Sequence, residues 1–236
     1  MIDAGPVGSE KQPPPLEAAG ALQVLATEHW SLLATRSLTY NESLSRVTMF
    51  LAVLSGAVIA LALVAQADRF GQTFVLIAIL VLSVLLFVGV ATVARLGTLN
   101  YDDMRWVIGT NRIRHAYIEL FPQLERYFVA SRYDDFRGMA MTMGADRPEP
   151  RGLGQLAHGV QTLPGMVGII VSVVAGALGA LIADALKAPT AVAVAAAVGG
   201  FLLTVALLLL SLFRSFVRFR AGFAPRFPRE EPAKPQ

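Results

Sequence analysis

Residues 47–67 read VTMFLAVLSGAVIALALVAQA, and residues 73–94 read TFVLIAILVLSVLLFVGVATVA. Neither stretch contains Asp, Glu, Lys, Arg or His. Wound as a helix at ~1.5 Å per residue, each is long enough to cross a hydrocarbon core of about 30 Å. Two further runs share this character: residues 165–183, GMVGIIVSVVAGALGALIA, and residues 190–213, TAVAVAAAVGGFLLTVALLLLSLF. Soluble cores rarely use four such runs. The reading is an all-α, polytopic helical membrane protein with four transmembrane helices.

The connections set the pairing. Asp68–Gln72 joins the first two runs and Asp184–Pro189 the last two. Segments this short bring only antiparallel neighbours together, so the expectation is two transmembrane hairpins. Basic residues then orient them, since cytoplasmic flanks carry excess Lys and Arg. Arg36 and Arg46 precede the first span, and Arg95, Arg105, Arg112 and Arg114 follow the second. Arg147 and Arg151 precede the third; Arg214, Arg218 and Arg220 follow the fourth. The two short turns hold only Arg69 and Lys187. A multi-pass protein of the cell membrane is expected, with N- and C-termini cytoplasmic and with cytoplasmic helical extensions.

Composition agrees. The 236 residues are 55% hydrophobic and only 16% charged, against about 25% charged in an average soluble domain. With no cysteine, disulfides, thiolate metal sites and Cys nucleophiles are excluded. A pI near 9.5 would suit nucleic acid, but the arginines flank apolar runs, where topology and lipid headgroups account for them. Nucleic acid is therefore not an expected partner. The first twenty residues lack the basic and apolar regions of a cleaved signal peptide.

Five regions follow: a disordered N-terminus (1–15), a cytoplasmic helix with the first hairpin and a second cytoplasmic helix (16–131), a cytoplasmic linker (132–164), the second hairpin (165–213), and a basic aromatic tail (214–236). Leu22, Leu25, Leu32 and Leu33 recur at helical spacing ahead of the first span. The helix is expected to continue unbroken into that span, with Glu42 and Arg46 as an i,i+4 pair. The second span is expected to run on until Pro122. Trp106, Thr110, Ile113, Tyr117 and Leu120 form an a/d-like stripe on it. Either this stripe packs on the 22–33 helix, with Trp30, Leu33, Trp106, Ile113 and Tyr117 in contact, or the same faces associate between subunits.

Within the spans, small residues recur every four positions: Ala52, Gly56 and Ala60; Gly168, Ser172, Gly176 and Ala180; Ala196, Gly200 and Thr204. Such stripes let backbones approach closely in lipid. They serve either the packing of the four-helix bundle or a homo-oligomer interface. The second span, rich in Leu, Ile and Val, is expected to face lipid more than the others. The tail interleaves Arg214, Arg218, Arg220 and Arg226 with Phe216, Phe219, Phe223 and Phe227. That pattern suits anionic lipid headgroups, with phenyl rings inserted at the interface, and equally a positive flank that stops translocation.

Reactive chemistry is sparse. His115 and Glu119 could share a metal, but two ligands without a third read as a surface pair. His29, beside Trp30, and the lone His158 of the linker read as structural or solvated side chains. Neither a G-x-x-x-x-G-K phosphate loop nor an H-E-x-x-H helix occurs. Asp102–Asp103 and Asp134–Asp135 are adjacent pairs, and neighbours on a helix diverge by about 100°. No catalytic residue, metal or cofactor is expected. Uncharged spans also argue against ion-coupled transport. A non-enzymatic scaffold or accessory subunit remains, with a cytoplasmically gated oligomeric pore as the alternative, since pores can gate by dewetting alone.

Residues 28–43, EHWSLLATRSLTYNES, with residues 105–117, RWVIGTNRIRHAY, resemble a family of multi-span membrane proteins common in actinobacteria, for which no activity is established. The resemblance covers about the first 130 residues. The plan of cytoplasmic helix, two spans and cytoplasmic helix is more loosely similar to SLATT-type modules, which implies a pore-forming effector; the second hairpin is an addition to that plan.

Overall fold

The computed structural model describes residues 15–144 and 162–229, and these are helical with no strand among them. The helices are α1 (Pro15–Asp68), α2 (Gln72–Leu120), a 3-10 turn (Pro122–Tyr127), α3 (Phe136–Thr142), α4 (Leu163–Ala185) and α5 (Thr190–Ala221). Helices α1, α2, α4 and α5 are each long and apolar enough to cross a membrane, which suggests a membrane location.

As expected, α1 runs from the charged approach into the first apolar stretch, and α2 runs on to Leu120. Their lengths, 54 and 49 residues, have a simple cause: no proline interrupts either helix after its first residue. The turn between them puts two non-glycine residues in the left-handed region, Arg69 at φ 50° and Phe70 at φ 61°. Asp68 compensates. Its backbone carbonyl accepts from Gly71 N at 2.9 Å, and its carboxylate accepts from Phe74 N at 2.7 Å. That satisfies an orphan donor where the helix dipole favours negative charge.

The chain divides into two compact units. One comprises Ser37–Asp103 and Pro148–Ala224; the other Met1–Arg36, Met104–Arg147 and Pro225–Gln236. The first holds the apolar core: Phe50 of α1, Leu85, Val93 and Leu96 of α2, and Val167, Val171 and Val174 of α4. Helix α4 is the central element. Its apolar window is 44% buried, against 17% for α2, 6% for α1 and none for α5. This corrects the expectation that the second span faces outward most. Ala78, Leu85 and Val93 are buried on it, and a Cβ at Gly89 would press on Val171 and Phe50. Glycine lets the bulky helix come close, so α1 and α5 hold the exposed positions instead.

Helices α4 and α5 approach through backbone. A Cβ at Gly176 would lie 2.8 Å from the Ala197 carbonyl oxygen, one at Gly179 2.7 Å from that of Ala196, and one at Gly200 2.9 Å from that of Ala175. These contacts pair early α5 residues with late α4 residues, so the two helices run antiparallel. Near the midpoints of α1 and α2, Arg95 donates to Glu42 through Nε at 3.0 Å and Nη2 at 3.1 Å. Arg46 Nε reaches the same carboxylate at 2.8 Å. Hydrogen bonds from Arg46 and then Arg95 hold the Glu42 carboxyl below its usual range.

Candidate functional site

The second unit is built on polar contacts around one carboxylate. Asp134 has no exposed surface. Its Oδ2 accepts from Arg112 Nε at 2.7 Å and from Arg226 N at 2.9 Å. Its Oδ1 accepts from Phe227 N at 2.8 Å. Asp134 N in turn donates to the Phe227 carbonyl at 3.3 Å. Burial opposes ionisation of this carboxyl; the Arg226 amide, the Arg112 guanidinium and the Phe227 amide outweigh it and hold the group below the ordinary range.

Asp135 does different work. Its Oδ1 caps α3 by accepting from Gly138 N at 2.6 Å, and its Oδ2 accepts from Arg229 N at 2.8 Å. The two neighbouring carboxylates therefore grip the amides of Arg226, Phe227 and Arg229 in one short segment, residues 226–229. They do not converge on a single point, as their adjacency implied. A Cβ at Gly138 would collide with the Tyr133 carbonyl, so glycine is required where α3 meets this loop.

Asn111, also fully buried, anchors the same loop to α2. Its amide donates to the Tyr133 carbonyl at 2.8 Å, and its oxygen accepts from Arg114 and Thr142, both at 2.8 Å. Tyr133 lies 5.1 Å from the guanidinium carbons of Arg132 and Arg229, and Phe227 stacks on His115 at 4.2 Å. The result is a clasp that holds a short segment of the tail by its backbone amides.

The expected helix contacts shift by one residue. Trp30 is 74% exposed and Leu33 37%, so neither is the contact residue. His29 stacks on Tyr117 at 6.0 Å, and Leu32 fills the space beside Gly109, where a Cβ would lie 3.0 Å from its Cδ1. The inward face of α1 is Leu22, Leu25, His29 and Leu32; the apolar spacing marked its three leucines and left out His29. On α2 the stripe is correctly placed: Thr110 and Ile113 are buried, and Trp106 and Tyr117 half-buried. Burial and then the charge of Arg114 push the His29 imidazole down from its ordinary value.

Of the small-residue stripes, Gly168, Ser172 and Gly176 are buried and Ala180 half-buried. Ala196 and Gly200 face them from α5. Ala52, Gly56 and Ala60 are exposed, and no atom lies within 4 Å of a Cβ built at Gly56. In the tail, Arg214, Arg218, Arg220 and Arg226 are exposed. Phe219 packs on Tyr101 at 5.7 Å and on Phe223 at 6.1 Å, which spends two of the rings assigned to membrane insertion; Phe216 stays 36% exposed. Residues 226–229 of the basic aromatic tail are held by Asp134 and Asp135. His115 pairs with Glu119 at 3.2 Å, and no third ligand joins them among the described residues. His158, the 145–161 part of the linker and residues 1–14 lie outside the described residues.

Sequence reasoning missed Asn111, Ser131, Asp134 and Thr142 as a group. The Asp135–Gly138 cap was findable from its spacing; burial of Asp134 was not. No protein-family model, curated protein or solved structure matches this chain.

Proposed function

We propose that this is a non-enzymatic integral protein of the cell membrane, with paired spans and cytoplasmic termini, acting as a scaffold or accessory subunit through its cytoplasmic helices. The clasp carries the reading. A carboxylate withdrawn from water costs several kcal/mol unless its partners are well placed. Mere topological flanks have no need of one. A segment that keeps a fully buried, three-donor Asp134 is shaped to hold a defined surface. The same unit leaves Trp30, Tyr127 and Val129 exposed at 74%, 66% and 94%, and large exposed aromatics commonly anchor partners. The arginine distribution supports placing this unit in the cytoplasm.

The test is a photo-crosslinking side chain at position 30 or 127 in intact cells, with Leu51 as a lipid-facing control. The expected result is a discrete adduct with a second protein at 30 or 127 and none at 51. Adducts with lipid alone at all three positions would refute the scaffold.

The exposed Ala52–Gly56–Ala60 face supports a second reading. A small-residue stripe without an intrachain neighbour suits a helix from another copy, as an oligomeric pore requires. Conductance of the purified protein in planar bilayers, with its mass measured in parallel, separates the two. A monomer without conductance removes the pore.

A further inference from the structure

Helices α2 and α5 do not close on each other along their length. A groove of about 490 Å³ lies between them, within the range of small-molecule sites. It has a direction. Leu86, Val90, Val93, Thr204, Leu207 and Leu208 line the deep end; Thr98, Tyr101, Ser211 and Ser215 line the other. Tyr101 donates to the Leu212 carbonyl at 2.9 Å and closes the polar end. Gly97 keeps the middle open, since a Cβ there would meet Leu212 at 3.1 Å.

Two guanidinium groups sit at the polar end. Arg95 Nη1 lies 3.4 Å from Thr98 Oγ1, and Arg218 Nη2 lies 3.4 Å from Ser215 Oγ. Arg95 is ion-paired with Glu42, a carboxylate it shares with Arg46. Arg218 has no carboxylate partner among the described residues, and its charge is felt at the Tyr101 hydroxyl. Helix α5 carries Arg214, Arg218 and Arg220 and no acidic residue.

We infer that this groove binds one anionic phospholipid, its acyl chain along Leu86–Gly97 and its headgroup at Arg218. This rests on the membrane placement proposed above. The length fits: Leu86 to Tyr101 spans about 22 Å of helix, and one leaflet with its headgroups is about 20–22 Å. An apolar groove facing hydrocarbon cannot be filled by water, and left empty it forfeits dispersion contacts along both walls. A lipid tail is the material at hand. The unpaired cation at the rim selects a negative headgroup.

The experiment is native mass spectrometry of the full chain, purified in detergent and offered equal amounts of dioleoyl phosphatidylglycerol and phosphatidylcholine. One phosphatidylglycerol per chain should be retained, with phosphatidylcholine held several-fold more weakly. Arg218→Gln should cut the preference about fivefold, as one basic residue at an anionic surface implies. Ala94→Trp, which fills the groove from an exposed position, should abolish retention of both lipids. Leu80→Trp, exposed elsewhere on α2, should change neither. Equal retention of the two lipids by the parent chain, or unchanged retention in Ala94→Trp, would overturn the inference. A dimer without lipid would put a second copy in the groove and overturn it as well. A chain that stays soluble without detergent and enters no vesicle contradicts the membrane placement itself; one that inserts yet retains no lipid contradicts only the groove.

Discussion

Replacing Asp134 by Asn should release residues 226–229 while leaving the apolar helices in place. The wild-type carboxylate accepts three hydrogen bonds, from Arg112 Nε and the amides of Arg226 and Phe227. Hydrogen bonds to a charged group contribute about 1.5–3 kcal/mol each, and breaking one partner out of a buried ion pair costs about 3–5 kcal/mol. Asparagine keeps one oxygen and presents two N–H donors instead of the second. One of the three donors must then face another donor. Arg112 is a third exposed and recovers water, so the lower end applies: about 3 kcal/mol, or roughly two orders of magnitude in the clasp equilibrium. Hydrogen exchange on the full-length protein in nanodiscs reads this directly. Amides of Arg226, Phe227 and Arg229 should exchange about a hundredfold faster in D134N, with α4 and α5 unchanged. Exchange at Arg226 and Phe227 within threefold of wild type would mean that the Phe227–His115 stack and the Asp135–Arg229 bond hold the tail without the Asp134 carboxylate, and that the carboxylate argument is wrong.

Acid should loosen the same unit in two stages. His29 is held below its ordinary value, so the unfolded chain takes the proton first and stability falls as pH drops below about 6.5. Asp134 is likewise depressed; its contribution is complete above about 3.9 and is lost as pH falls through its lower folded value. Protection of the Tyr117 amide, taken relative to its intrinsic exchange rate at each pH, should fall from pH 7 to 5 in wild type and stay flat in His29→Phe; identical profiles would exclude His29 as the first sensor. Gly176→Ala should destabilise the α4–α5 pair by about 1–3 kcal/mol, because its Cβ meets a carbonyl rather than a flexible side chain. Gly56→Ala, whose Cβ meets nothing, should not lower the melting temperature of the monomer in detergent and should raise it slightly, by a helix-propensity gain of up to about 1 kcal/mol; equal falls in the two variants would contradict the packing described.

The four apolar helices were legible because charge exclusion over twenty residues is a demand that lipid imposes and few other environments share. The unbroken passage of α1 and α2 into their flanks was legible for a related reason: no proline stands in the way. The clasp was not. Asp134 and Asp135 lie 92 and 94 residues from their amide partners at Arg226 and Arg229, and the partner groups are backbone, which no side-chain pattern marks. The one-residue shift from Trp30 and Leu33 to His29 and Leu32 has a local cause. Apolar character favours Trp30 inward and His29 outward, but Leu32 fills the space beside Gly109, and the helical period then brings His29 to Tyr117. The burial of α2 was missed because bulk was equated with lipid exposure, when Gly89 and Gly97 remove bulk at the positions that approach other helices.

The two units solve opposite solvent problems with the same economy. Between α4 and α5 there is no hydrophobic gain from meeting another apolar helix in lipid, so attraction must come from close backbone approach; glycine at 176, 179 and 200 supplies it. Around Asp134 water competes for every donor, so attraction must come from charge-assisted bonds in a place water cannot enter. The tail connects these solutions in sequence: thirteen residues after Phe213, where the fourth uncharged run ends, Arg226 donates its amide to Asp134. Its arginines then have two classes of role. Arg226 and Arg229 are fixed through their amides, whatever their side chains meet. Arg218 has no carboxylate partner among the described residues and is exposed, which is the basis on which a lipid headgroup was assigned to it above. A charge reversal at Arg218 should therefore alter lipid selection without moving the clasp, whereas proline at 227, which deletes the amide and spares every charge, should open the clasp without altering lipid selection.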